Sequence, residues 1–309
     1  MGSEIVSRQT VLWIVFSLLI AGMLYIDLFL ADRSRRAVGI KEAAVWCGVW
    51  AFLALLFCGG IYVFLSPEKA LQFFTGYVIE QSLSVDNMFV FLLIFSYFKI
   101  LPRDQPRVLK WGILGAVVLR FLFIFIGTAL VDRFQWIFYL FGAFLLYTAY
   151  GMAFGGEKEF DPGSNPVLKR ITGVLPLGGF DGDRFFTRAT GAWMATPLFL
   201  TILVVEFSDL VFALDSIPAI FAITTDRFIV YTSNVFAILG LRSLYFMIAG
   251  MVQVFVYLKF GVAIILAYVG VKMLLTRWFP IPTLVSLGVI VSLLAASVAA
   301  SLLFKPKES

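Results

Sequence analysis

The sequence predicts an all-α fold: a polytopic membrane protein of about nine transmembrane helices, with two inverted three-helix repeats inside it. Three observations predict it. Of 309 residues, 61% are hydrophobic and only 14% charged, at a mean hydropathy of +0.98, whereas soluble domains carry about a quarter charged residues. The apolar residues come in blocks of about 20, the length a helix needs to cross a bilayer. Finally, the blocks on either side of a central polar loop carry matching motifs. The whole chain, 1–309, reads as a single transmembrane domain.

The first two spans, about 11–31 and 43–65, lie outside the repeats. Span one reads as a membrane helix rather than a signal peptide. It has no basic segment before it and no small-residue cleavage site after it. Cys47 and Cys58 both fall in span two, eleven residues apart. That is about 16 Å along a helix, too far for a bridge, so both read as small apolar fillers.

Spans three to five, about 71–98, 111–131 and 134–154, form the first repeat. Residues 155–196, with "GGEKEFDPGSNPVLKR" and "LGGFDGDRFFTR", form a long polar loop. Asp181 and Asp183 flank Gly182 like the start of a calcium loop, but the ligand series does not continue, so a solvated turn is expected. Spans six to eight, about 197–222, 229–251 and 255–275, form the second repeat, and span nine, about 281–304, closes the chain.

Basic residues orient these spans. Arg33, Arg35, Arg36 and Lys41 fall on one side, as do Lys99, Arg103, Arg107 and Lys110. The polar loop adds Lys158, Lys169, Arg170, Arg184 and Arg188 to that side, and Lys259, Lys305 and Lys307 follow. The other side has only Arg8, Lys69, Arg133, Arg227 and Arg277. The positive-inside rule then places the amino terminus outside and the carboxyl terminus in the cytoplasm. The formal net charge of +5 reflects these loops, not a nucleic-acid surface.

The repeat rests on three matches. "LRFLFIFIG" at 119–127 resembles "LRSLYFMIA" at 241–249, and "FGAFLLYTAYG" at 141–151 resembles "FGVAIILAYVG" at 260–270. "SVDN" at 84–87 matches "ALDS" at 213–216, while "VIEQS" matches "VVEFS" three residues out of step. An odd number of helices per repeat inverts the second copy, an arrangement typical of secondary transporters.

Matching spans also carry charge where water is scarce. Glu80 and Asp86 lie in span three, and Glu206, Asp209 and Asp215 in span six. Arg120 and Arg242 lie in the spans that follow. Such groups are costly in a bilayer, so they are expected to face one another or a wet cavity. Two arginines can neutralise two carboxylates. A purely structural network leaves three acids over, and these should protonate or bind a cation. The candidate metal ligands are therefore Glu80, Asp86, Asn87, Glu206, Asp209, Asp215 and Ser216, with Arg120 and Arg242 as counter-ions.

Glu80 and Asp86 are six residues apart, as are Asp209 and Asp215. On a straight helix that spacing separates two side chains by about 120° and about 9 Å. Either each repeat gives one acid to a shared site, or the helices break there. Pro218 could free a carbonyl, and Ser82, Ser84 and Ser208 could cap a broken end. Glu206 and Asp209, at i and i+3, share a face. The chain has no histidine, and a hard oxygen set of this kind suits Mn²⁺, Mg²⁺ or Ca²⁺. Met88 reads as packing rather than as a softer ligand.

The stretches "GYVIEQSLSVDNMFVF", "ATPLFLTILVVEFSDLVFALDSIPAIFAITTD" and "FIVYTSNVFAILGLRSLYF" resemble the TerC family. "FDGDRFFTR" and "YLKFGVAIILAYVGVKM" resemble its Alx-like branch. The resemblance implies a nine-helix protein of the bacterial inner membrane, distantly related to the LysE superfamily of exporters. It also implies manganese efflux, with an older association with tellurite resistance and alkaline induction. The family's intramembrane acids match Glu80, Asp86, Asp209 and Asp215, and its polar partners match Asn87 and Ser216. Arg227 departs from the pattern, standing where a proline commonly follows the aspartate.

The expected function is that of a secondary transporter exporting Mn²⁺, with protons as the exchanged ion. It is not an enzyme and holds no tight cofactor. No nucleotide-binding loop occurs in the chain, so ATP drive within it is not expected. The rival readings are export of another divalent cation such as Ca²⁺, a membrane redox or tellurite-resistance factor without transport, and a scaffold acting through the polar loop.

Overall fold

The computed structural model describes residues 2–25, 39–134, 136–154, 178–179, 181–182, 184–188, 193–250, 257–275, 278–279 and 281–303. Within these, helix follows helix. The order is α1 (Gly2–Tyr25), α2 (Ile40–Phe64), α3 (Pro67–Tyr97), α4 (Gln105–Arg133) and α5 (Ile137–Phe154), then α6 (Pro197–Phe221), α7 (Arg227–Leu239), α8 (Leu241–Ala249), α9 (Leu258–Leu275) and α10 (Thr283–Leu303). Between α5 and α6 a short hairpin pairs β1 (Phe186–Thr187) with β2 (Met194–Ala195), Phe186 opposite Ala195.

Local sequence sets several of these boundaries. The Ser66 side chain accepts the Lys69 N–H at 3.2 Å, Pro67 opens α3, and Glu68 lies in its first turn. Asp226 caps α7 by accepting the N–H groups of Phe228 and Ile229. Pro197 opens α6. Asp181 holds its turn as expected, accepting the Thr187 hydroxyl at 2.8 Å beside Gly182 at φ +56°.

Among the described residues, five helices are long and apolar enough to cross a membrane: α2, α3, α4, α6 and α10. The bent pair α7–α8 makes a sixth if counted as one span. The other expected spans, 11–31, 134–154 and 255–275, hold shorter apolar helices over Thr10–Tyr25, Tyr139–Phe154 and Phe260–Leu275. Residues 26–31 of the first lie outside the described residues. The protein is a multi-pass membrane protein built almost wholly of helix.

Packing places α3 at the centre: 62% of its apolar window is buried, against 22% for α2 and 11% for α10. The two halves of the chain pair reciprocally. Helix α3 packs on α7, α4 on α6, and α5 on α9. The α5–α9 pair is in backbone contact, since a Cβ on Gly142 would stand 3.0 Å from the Gly270 carbonyl, and one on Gly270 2.9 Å from the Gly142 carbonyl. Small residues permit that approach between membrane helices, where dispersion replaces the hydrophobic effect as the driving force. Away from this seam, Phe57, Phe73, Phe228 and Phe236 interlock α2, α3 and α7. Phe16 ties α1 to that cluster.

Of the two alternatives left open for helices α3 and α6, the structure shows the unbroken one. Neither α3 nor α6 breaks at its acids. Pro218 lies in the last turn of α6, where the lost N–H and the freed carbonyl perturb only the helix end. Ser82 and Ser208 do not cap broken ends; their hydroxyls donate to Val78 and Val204 four residues back within continuous helix, at 2.7 and 2.8 Å. The break falls instead at Gly240, where α7 and α8 bend by 42°.

Candidate functional site

Four helices each bring a polar residue from near their midpoints to one buried point. Glu80 comes from α3, Arg120 from α4, Asp209 and Ser216 from α6, and Asn234 from α7. Arg120 and Asn234 are fully buried, and Glu80, Asp209 and Ser216 nearly or wholly so. The Arg120 guanidinium forks onto Asp209, with Nη2 donating to Oδ1 at 3.1 Å and Nε to Oδ2 at 3.4 Å. Its Nη1 donates to Glu80 Oε1, to Asn234 Oδ1 at 2.6 Å and to Ser216 Oγ at 3.2 Å. Asn234 returns its amide N–H to the other Glu80 oxygen at 3.1 Å. A planar fork of five donors is the group best able to hold two carboxylates at once.

Helix geometry explains the membership. Asp209 and Ser216 are seven residues apart, two turns, and so lie on one face of α6. Asp215 is one residue off that register, about 100° around the axis, and cannot point the same way. It is half-buried toward α5, where the Thr148 hydroxyl donates to its Oδ1 at 3.0 Å. Glu206, one turn before Asp209, is also half-buried. It packs against Gly115 of α4, where any Cβ would collide with its carboxylate. Its Oε2 is buried without a hydrogen-bond partner.

The structure thus brings Glu80, Asp209 and Ser216 together and leaves Asp215 and Glu206 apart from them. Among the described residues, no three acids stand close enough to hold a metal ion by themselves. The Asp86 side chain lies outside the described residues; Asn87, beside it, is buried. Met88 is fully buried among Phe91 and Phe95, in its expected packing role. Arg242 is half-buried on α8, beyond the Gly240 bend.

The charge count from sequence therefore changes. One arginine, not two, neutralises Glu80 and Asp209, and this cluster keeps a formal charge of −1. Two residues escaped the sequence reading. Asn234 is the single carboxamide of span 229–251, a polar side chain as conspicuous there as an acid. Thr148 gives no such signal, because a threonine is common in membrane helices and bonds its own backbone readily.

At one end of the bundle the chain closes with ion pairs. Lys69 meets Asp226 at 2.7 Å, and Arg227 meets Asp132 at 3.3 Å while donating to Thr128 at 3.0 Å. Arg227, the departure from the family pattern, thus ties the start of α7 to the end of α4.

Comparison with known proteins gives a consistent picture. The integral membrane protein TerC family matches residues 65–309. An uncharacterized membrane protein of Myxococcus xanthus is 48% identical over 293 residues, covering 94% of this chain and 92% of its own. An Escherichia coli K12 protein, named as a candidate membrane-bound redox modulator, Alx, is 48% identical over 293 residues, covering 92% and 91%. An uncharacterized membrane protein of Rickettsia felis is 38% identical over 296 residues, covering 95% and 98%. No solved structure matches the chain.

Proposed function

This chain belongs to the TerC family of integral membrane proteins, and from that premise we propose that it is a secondary transporter exporting Mn²⁺ across the bacterial inner membrane. The observation that carries the reading is the acid network itself: two carboxylates held by one guanidinium at the middle of four crossing helices, with two further acids beside it. Charge in that position is expensive, and in membrane proteins it marks ion pathways.

In this reading Arg120 is a built-in surrogate cation. It occupies Glu80 and Asp209 while no ion is present, and an entering Mn²⁺ competes for the same oxygens. Asp215 and Glu206, which Arg120 does not touch, exchange ion for proton first. Asp86 and Asn87 complete the oxygen set from α3. The four helices of the network come two from each half of the chain, and their reciprocal packing supports an inverted repeat that rocks about a central site. The cytoplasmic placement of the carboxyl terminus follows from the loop charges.

The name of the Escherichia coli relative favours a second reading, a membrane redox factor. Against it, both cysteines are free, half-buried and well separated on one helix. Metal uptake into inside-out vesicles, with Mn²⁺, Ca²⁺ and Mg²⁺ compared with and without a proton gradient, tests the choice. Saturable, gradient-dependent Mn²⁺ uptake is expected. Uptake of Ca²⁺ alone would move the substrate, and no uptake of any cation by folded protein would overturn transport.

A further inference from the structure

On the face of α3 adjacent to the acid network lies a half-open cavity of about 250 Å³. It is lined by Cys47 of α2, by Gln81, Ser82 and Val85 of α3, by Gly240 at the α7–α8 bend, and by Leu294 of α10. Its volume admits several water molecules. The walls are largely apolar, and Ser82 donates to the Val78 carbonyl, yet one polar group on the wall is not satisfied by protein. Gln81 spends its amide N–H on Tyr77 at 3.0 Å, and its carbonyl oxygen is buried with no partner. An orphaned amide oxygen on the wall of a void is costly in a dry interior and is satisfied by water.

The α7–α8 bend also borders the void, through Gly240. The Gly240 N–H bonds back to Ala237 at 3.2 Å rather than to Phe236, so the Phe236 carbonyl loses its helical donor. Interrupted membrane helices persist where the freed backbone lines a water-filled cavity or an ion site. Gln81 directly follows Glu80 in the chain, so this void and the Arg120 network occupy neighbouring faces of one helix.

We propose that this cavity is a hydrated mid-membrane chamber that receives a divalent cation with part of its water shell, on its way between the acid network and the membrane surface. The acceptors on its wall, the Gln81 amide oxygen and the Ser82 hydroxyl oxygen, suit a hard cation that keeps several waters. The proposal rests on the transport reading.

A native residue reports on it, because Cys47 lines the chamber while Cys58 of the same helix donates to the Ala70 carbonyl at 3.4 Å, away from it. The experiment labels full-length protein in lipid nanodiscs, with Cys58→Ser as background. The probes are a membrane-impermeant cationic methanethiosulfonate and a permeant maleimide. The charged reagent is expected to modify Cys47 at least about tenfold faster than it modifies Cys58 in the Cys47→Ser counterpart, since accessible thiols react selectively. Millimolar Mn²⁺ is expected to slow that reaction severalfold. Gln81→Leu, checked for monodispersity, should remove the Mn²⁺ protection. Labelling of Cys47 by the maleimide alone would mean a dry, lipid-facing gap, and charged-reagent labelling indifferent to Mn²⁺ would mean a chamber closed to the metal; either overturns the proposal. Labelling needs no transport, so a closed chamber in protein that still exports Mn²⁺ overturns the chamber alone. A labelled, Mn²⁺-protected Cys47 in protein that moves no metal overturns the transport reading alone.

Discussion

Helix α6 carries acids in two different conditions. Asp209 is nearly fully buried and gripped by Nε and Nη2 of Arg120, while Asp215, less than two turns on, is half-buried and held by a single threonine hydroxyl. Glu206, on the other side of Asp209, has one carboxylate oxygen with no partner at all. An acid in the same helix is paired with a guanidinium at one position and under-compensated at its neighbours. The difference teaches which acids hold the fold together and which, on the proposed transport reading, are left to exchange an ion.

Breaking the paired region should have the largest effect. Arg120→Ala leaves Glu80 and Asp209 facing each other without a counter-charge, and breaking one side of a buried pair costs about 3–5 kcal/mol. Folded yield and monodispersity after detergent extraction should collapse. Arg120→Lys should recover little of this, because a point charge cannot fork onto Asp209 while reaching Glu80.

Asn234→Leu comes next, since Asn234 bridges Arg120 and Glu80 by one bond each. Orphaning those partners should cost about 1–3 kcal/mol, visible as a lower Tm in detergent. A Tm equal to wild type would mean that the asparagine is incidental to the network.

At the under-compensated acids the comparison reverses. Glu206→Gln and Asp215→Asn each remove a charge that no described cation neutralises, so Tm should equal that of wild type or rise. Mn²⁺ tolerance should nonetheless fall sharply, measured as growth under toxic Mn²⁺ with cellular manganese alongside. Asp86→Asn should lose efflux in the same way if the two halves share one site. The smallest effect belongs to Asp181→Asn in the loop hairpin, a surface turn where about 0.5 kcal/mol and unchanged efflux are expected.

Much of the fold was legible in the sequence because bilayer crossing imposes a simple length rule. The apolar blocks therefore located the helices, and the reciprocal pairing of the two halves is what the motif matches would require. The site was legible in type but not in partnership. Counting charges assigned one arginine per carboxylate, whereas a guanidinium at the meeting of four helices serves two, and only the three-dimensional crossing reveals that. Asp215 and Ser216 stood together as one motif, yet neighbouring residues on a helix point about 100° apart and here serve different surroundings. The continuity of the helices was left open for a related reason. A proline is the stronger breaker in a propensity scale, but Pro218 sits where a helix ends anyway, while Gly240 bends a span at mid-depth.

The account stands on Asp215 carrying ion rather than structure. Mn²⁺ uptake into inside-out vesicles, compared for Asp215→Asn and wild type at equal amounts of folded protein and with Tm recorded for both, tests that most directly. The expected result is uptake reduced at least about tenfold, a loss of the size a single under-coordinated divalent site should produce, at a Tm no lower than wild type. Undiminished Mn²⁺ uptake by Asp215→Asn would contradict the account.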